Sequence, residues 1–268
     1  LTTLLSTQAC SSEEGDEADA QKSNGDGDAA SGDGDTAAGD GDAASGDGDA
    51  TPSIEGAGPG STDTFEEIDG LVAAEAEHFS SYDGKGAPRD YYLTTSEHEP
   101  GITPDPDPNH AEGASGVGYL ETLPDTRVTH DDEIKEGESI FNQAGTGPTL
   151  SYSVYFNTPG TYYAWVRAYS TGGEDNGIHV GLNGEFPESG QKLQFCSGKN
   201  QWTWSSAKRD SGGSACGIPH TITIEVPSAG EHEVQFSMRE DGFEFDKWVL
   251  TMDETYVPDG AGPDEVTR

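Results

Sequence analysis

Through the second half of the chain, apolar and polar residues alternate one by one. Leu150, Tyr152, Val154 and Phe156 alternate with Ser151, Ser153 and Tyr155, and Asn157-Thr158-Pro159-Gly160 then supplies a turn. Tyr162, Ala164, Val166 and Ala168 follow on one face, with Tyr163, Trp165, Arg167 and Tyr169 on the other. Ile222, Ile224 and Val226 give a further strand. Ser228-Ala229-Gly230 turns it into Val234, Phe236 and Met238, and Lys247 to Met252 closes the set. A period of two at hairpin spacing is the signature of half-buried strands, and no helical period is sustained. Several such strands predict an all-β fold, an antiparallel β-sandwich of jelly-roll type. Pro100 to Asn109 carries four prolines and reads as a loop, because proline cannot serve a central strand.

The texture upstream is different. Ser11 to Ala50 holds thirteen acidic residues against one basic residue, Lys22, and contains no Val, Ile, Leu or aromatic residue. From Gly25 it repeats Gly-Asp-Gly-Asp-Ala-Ala-Ser with small variations. Such a tract cannot bury enough apolar surface to offset the entropy of ordering, and it reads as a disordered acidic linker extended by self-repulsion. Its Asp-Gly-Asp units lack the distal Glu of an EF-hand loop. Thr51 to Asp69 continues the spacer through Pro52, Gly58, Pro59 and Gly60. The expected organisation is a signal-like remnant at 1–10, a linker at 11–70, a sandwich at 71–256 and a flexible tail at 257–268.

The formal net charge is -38 over 268 residues. Nucleic acid is therefore excluded as an expected partner, since phosphate binding needs a basic surface. An anionic membrane surface is disfavoured on the same ground. Leu1 to Cys10 resembles the end of a bacterial lipoprotein signal, with Ala9 before a Cys that becomes the lipidated residue. The resemblance implies a cell-surface or extracellular location, with membrane contact only through a lipid anchor at Cys10. In an exported chain, Cys196 and Cys216 are expected to form a disulfide. Closing that loop would contribute roughly 3 kcal/mol and would bracket Trp202 and Trp204.

Glu75 and Glu77 sit two apart in the strand-like run Leu71-Val-Ala-Ala-Glu-Ala-Glu-His78, so both carboxylates share a face. They repel unless a positive charge lies between them. The residues read equally as calcium ligands or as an exposed acidic edge. This run, with Gly242-Phe-Glu-Phe-Asp-Lys-Trp-Val-Leu250 near the end, resembles carbohydrate-binding modules of families 6 and 35. The middle of the chain resembles sugar-binding-like domains of bacterial polysaccharide-degrading enzymes, agarases among them, over Tyr169 to Gly181 and Ser237 to Trp248. The resemblance covers about Leu71 to Met252. It implies a galactose-binding-like β-sandwich with a structural calcium held by Glu75, Glu77 and Asp246. It also implies a sugar site in loops at one edge, built from aromatic faces and polar residues before the last strand. Trp202 and Trp204, on one face of Gln201-Trp-Thr-Trp-Ser205, are the aromatic candidates, with core packing as the other reading. Arg239, Glu240 and Asp241 occupy the loop before the last strand. Arg239 could pair with an acidic sugar or bridge Glu240 or Asp241. Glu174-Asp175-Asn176-Gly177 reads as a turn into a strand, with His179 on the face opposite Ile178 and Val180.

The function expected from all this is non-catalytic binding of a polysaccharide or oligosaccharide at a bacterial cell surface. The alternatives are a structural or adhesive domain with no glycan ligand, and a lyase or hydrolase. The chain has no Gly-x-Ser-x-Gly elbow, no His-Glu-x-x-His and no phosphate-binding loop.

Overall fold

The computed structural model describes residues 61, 63–209 and 217–268. The expected signal remnant with Cys10, most of the expected linker, and Cys216 lie outside the described residues. No described helix is long and apolar enough to cross a membrane. The strands are, in chain order, β1 (Phe65–Glu66), β2 (Leu71–Glu75), β3 (Ser81–Asp83), β4 (Asp90–Thr95) and β5 (Gly118–Leu123). Next come β6 (Thr149–Phe156), β7 (Gly160–Tyr169), β8 (Gly177–Leu182) and β9 (Leu193–Gln194). The last four are β10 (Thr203–Ser205), β11 (Thr223–Val226), β12 (Gly230–Met238) and β13 (Glu244–Thr251). One sheet runs β1-β6-β12-β8-β9, with β3 also on β6. The other runs β10-β7-β13-β5-β4, with β11 also on β7 and β2 also on β13. The all-β sandwich is as the alternation predicts.

The apolar faces of both sheets meet in one core. Tyr152, Val154 and Phe156 of β6 and Val234 and Phe236 of β12 face Tyr162, Ala164 and Val166 of β7 and Trp248 and Leu250 of β13, all essentially buried. Trp248 is the pivot: its ring lies 5.2 Å from Tyr152, 5.6 Å from Phe236 and 6.3 Å from Phe65. Each large apolar side chain so buried is worth about 1.5–3 kcal/mol. A β-bulge explains how the Asp246-Lys247-Trp248 order fits a strand of period two. The register of β13 against β7 shifts between Phe245 and Lys247, so one extra residue is absorbed there. Phe245 and Trp248 therefore both face the core although they are three positions apart.

Two domain boundaries differ from expectation. The expected linker, 11–70, contains β1, which pairs parallel with β6 (Phe65 with Val154, Glu66 with Tyr155) and departs from a purely antiparallel sandwich. Phe65 is fully buried, which explains why this short segment is held. The expected flexible tail is docked: Phe65 bridges Thr267, the Glu66 N–H donates to the Val266 carbonyl (2.8 Å), and the Arg268 N–H donates to that of Thr64 (3.1 Å). The Arg268 guanidinium lies 3.8 Å over the Tyr155 ring.

Candidate functional site

The expected metal ligands come together, but not as one strand face. β2 ends at Glu75 and Ala76–His78 form a single 3₁₀ turn, so Glu77 reaches the same place from the turn. Ser115 joins them. Its hydroxyl donates to Glu75 Oε2 (2.6 Å) and lies 3.0 Å from Asp246 Oδ2, and its N–H donates to Asp246 Oδ1 (2.6 Å). Glu77 Oε1 accepts the Val117 N–H at 2.9 Å. Positive charge comes from the protein: Lys247 Nζ donates to Glu75 Oε1 (2.7 Å) and an Arg167 terminal nitrogen to Asp246 Oδ2 (2.6 Å). All five charged side chains are buried. Among the described residues no group of three or more His, Cys, Asp or Glu is arranged to hold a metal. Two of the three carboxylates are compensated by cations of the protein, Glu75 by Lys247 and Asp246 by Arg167. Glu77 Oε2 is buried without a partner, and burial pushes the Glu77 carboxyl up to about 7.

The two tryptophans face different neighbours. Trp202 packs edge-on against Tyr119 (5.3 Å) and Tyr169 (5.5 Å), with Arg167 5.5 Å over its ring, and its Nε1 donates to the His110 carbonyl at 3.0 Å. Trp204 joins a small outer cluster with Ala73, Trp165 and Val249, and its Nε1 donates to the Gly260 carbonyl at 3.0 Å. A Cβ at Gly262 would come within 2.6 Å of the Trp204 ring, so the C-terminal segment lies directly on it. Both residues are half-buried.

Arg239, Glu240 and Asp241 divide their tasks. Asp241 accepts from the Thr126 N–H (3.0 Å), the Thr126 hydroxyl (2.9 Å) and Arg89 Nε (3.3 Å), and so ties down the loop after β5. Glu240 pairs with Arg239 and accepts the Asn176 N–H at 3.0 Å. Arg239 lines a cavity of about 270 Å³ with Arg127, Lys192 and Arg209; Glu174, His130, Ile134 and Ile140 complete its walls. Neither tryptophan reaches it.

Loops hold this cavity in shape from several sides. Arg127 and His130 both pair with Glu174. Its neighbour Asp175 accepts the N–H groups of Thr171 (2.6 Å) and Gly172 (3.0 Å) and the Ser170 hydroxyl (2.8 Å), the turn expected before β8. His179 is a buried strut beneath: its Nδ1 accepts the Lys192 N–H (3.1 Å), so Nε2 carries the proton and donates to the Phe141 carbonyl (2.8 Å). Burial pushes His179 down to about 4, which keeps it neutral. Phe141 N–H donates to the Arg239 carbonyl (2.8 Å) and Arg209 N–H to that of Lys192 (2.8 Å). Arg127, Lys192 and Arg209 went unnoticed in the sequence. The one signal available was scarcity, since the chain has only 13 Lys and Arg.

A third group is acidic. Glu121 and Glu244 face each other across β5 and β13, both buried. Burial, with Asp107, Asp175 and Asp105 nearby, pushes Glu244 up to about 10. His110 Nδ1 shares a hydrogen bond with Glu244 Oε1 at 2.7 Å.

Residues 64–265 match the family described as the glycosyl hydrolase family 115 C-terminal domain. The chain is 53% identical over 199 residues to the uncharacterized protein P23 of Formosa agariphila, covering 74% of this chain and 48% of that protein. It thus spans about half the length of that curated relative. Among solved structures, a family 35 carbohydrate binding module from Clostridium thermocellum is 12% identical with a TM-score of 0.38, over 67% of this chain and 96% of that one. The Podospora anserina GH26-CBM35 β-(1,4)-mannanase is 15% identical with a TM-score of 0.40, over 71% of this chain and 29% of that one.

Proposed function

Because the chain belongs to the glycosyl hydrolase family 115 C-terminal domain family, we propose that it is a non-catalytic carbohydrate-binding β-sandwich, an accessory to polysaccharide breakdown. The observation that carries this reading is the loop-walled cavity of about 270 Å³ at Arg127, Arg209 and Arg239. It lies near the small end of ligand pockets, about 300–1,000 Å³, and suits a single sugar residue with its substituents. It offers fixed polar donors beside the apolar side chains of Ile134 and Ile140, as a sugar with hydroxyls on one side and C–H groups on the other requires. The cavity's carboxylates are occupied in anchoring arginines, Glu174 for Arg127 and Glu240 for Arg239, which favours binding over acid–base chemistry.

Within the same proposal, Glu75, Glu77 and Asp246 form a strut between the first and last strands. Lys247 and Arg167 take the place of the calcium ion expected from sequence. The cell-surface location, the lipid anchor at Cys10 and the Cys196–Cys216 disulfide are parts of this proposal too. Cys196 belongs to the described residues and Cys216 lies outside them.

The test is a glycan array probed with the full chain, followed by end-group analysis of whatever binds. Retention of a polysaccharide class at unchanged chain length is the expected outcome. New reducing or unsaturated ends would convert the protein into an enzyme. No retained glycan, from folded protein, would favour the structural or adhesive alternative.

A further inference from the structure

Positive charge is scarce in this chain and concentrated at one place. The formal net charge is -38, with 13 Lys and Arg residues in all. Four of them, Arg127, Lys192, Arg209 and Arg239, line the same cavity. They come from four separate parts of the sequence, so the concentration is a product of the fold. Two carboxylates stand against them: Glu174 on Arg127, and Glu240 on Arg239 with Arg209 3.8 Å away. Lys192 makes no ion pair among the described residues. Among the described residues the cavity therefore keeps an excess of two positive charges, in an otherwise strongly acidic molecule.

The arginines are also underused. Arg239 is 2% exposed and Arg127 7%, and the Nε of each is buried with no hydrogen-bond partner. A buried donor left unmade costs about 1–3 kcal/mol, more when charged. A guanidinium presents its donors as a rigid fork that matches a carboxylate or an oxyanion of sulfur or phosphorus. Paired charges that served the fold alone would be expected to balance. Here the surplus lies at a cavity wall, where a ligand can complete it.

We infer that the cavity recognises an anionic substituent on a sugar, a carboxylate or a sulfate ester, through Arg127, Arg239, Arg209 and Lys192. This rests on the carbohydrate-binding reading and names the ligand class for its site. Arg127 and Arg239, held by Glu174 and Glu240, supply fixed forks. Arg209 (47% exposed side chain) and Lys192 close over the ligand from the rim. The sugar ring lies along Ile134 and Ile140. Anions are repelled by the rest of the molecule, so charged glycans lacking a group that fits the cavity are rejected, and electrostatic focusing operates only there.

The experiment is isothermal titration of the full chain with three sets of oligosaccharides matched in length: uronate-containing, sulfate-ester-containing and neutral. The wild type is set beside a Lys192→Gln, Arg209→Gln double variant, which leaves the Arg127–Glu174 and Arg239–Glu240 pairs in place, and beside Arg239→Met. At least one anionic set should bind at least tenfold more tightly than the neutral set, weakening as salt is raised. The double variant should lose at least tenfold while keeping the wild-type melting temperature. The set that binds separates carboxylate from sulfate. Equal, salt-insensitive binding of the neutral set overturns the inference and leaves the carbohydrate reading standing. Unchanged anion binding in the folded double variant overturns the placement of the site. Binding of no set at all overturns both readings.

Discussion

Two charged clusters in this molecule use the same residue types in opposite proportions. Between the terminal strands, Glu75, Glu77 and Asp246 outnumber Lys247 and Arg167, and all five are buried within the β2–β13–β7 seam. At the loop end, Arg127, Lys192, Arg209 and Arg239 outnumber Glu174 and Glu240 around an open cavity. The first cluster can shed its surplus charge from within: burial raises the Glu77 carboxyl to about 7, so below neutral pH a proton neutralises the carboxylate that has no cation. The second cannot remove its surplus that way, because guanidinium groups keep their protons. A sealed cluster closes its own charge balance and becomes part of the framework. An open cluster with a surplus waits for a partner from solution.

The sharpest way to break the comparison is to remove the internal cation of the sealed cluster. Lys247→Met strands Glu75 in the seam, and breaking a buried pair from one side costs about 3–5 kcal/mol. Chemical denaturation should read that loss directly. A change below about 1 kcal/mol, the range of exposed pairs, would mean that Lys247 does not carry the compensating charge. A smaller effect concerns buried carboxylates that have no cation. Glu244 has its pKa raised from the ordinary 4.5 to about 10 by burial and three nearby Asp residues. A raised acid pKa contributes stability that is fully present below the unfolded value, near 4.5, and is lost as pH rises through the folded one. The melting temperature should therefore fall as pH climbs from 5 toward 10, and Glu244→Gln should flatten that slope. A slope unaltered in the variant would remove Glu244 as its source. The smallest expected effect is none. Excess chelator should leave the melting temperature unchanged, because Lys247 and Arg167 already occupy the oxygens a calcium ion would take. A fall in melting temperature on chelation, restored by calcium, would return the metal to Glu75, Glu77 and Asp246.

Strands with strict alternation were legible from sequence. β6, β7 and β12 form where the alternation puts them, but β6 and β7 lie in opposite sheets, as do β11 and β12, so the turns between them connect the sheets and do not close hairpins. What escaped was set by pairing between distant segments. β1 is two residues long, carries no period, and exists because Phe65 finds a hole between Tyr152 and Trp248. The tail holds few apolar residues and docks through backbone hydrogen bonds, to which composition is blind. Glu75 and Glu77 were paired for a strand period that stops at Glu75; the 3₁₀ turn happens to restore their proximity. Of the cavity, only Arg239 was anticipated, since Arg127, Lys192 and Arg209 meet it only through the fold. The neighbours of the tryptophans were equally illegible, because nothing in Gln201 to Ser205 shows that the segment around Gly260 and Gly262 lies against Trp204.

The docked tail means that the domain has a neck. Thr64 and Arg268 are joined by one backbone hydrogen bond of 3.1 Å, beside the bridge of Phe65 to Thr267. The cavity lies toward the other end of the same strands, since Arg239 follows the last residue of β12 while Glu231, near its start, pairs with Tyr155 beside the neck. Pulling Thr64 and Arg268 apart would thus load a few hydrogen bonds at the neck first. The cavity, at the far end of the strands, would feel that load last.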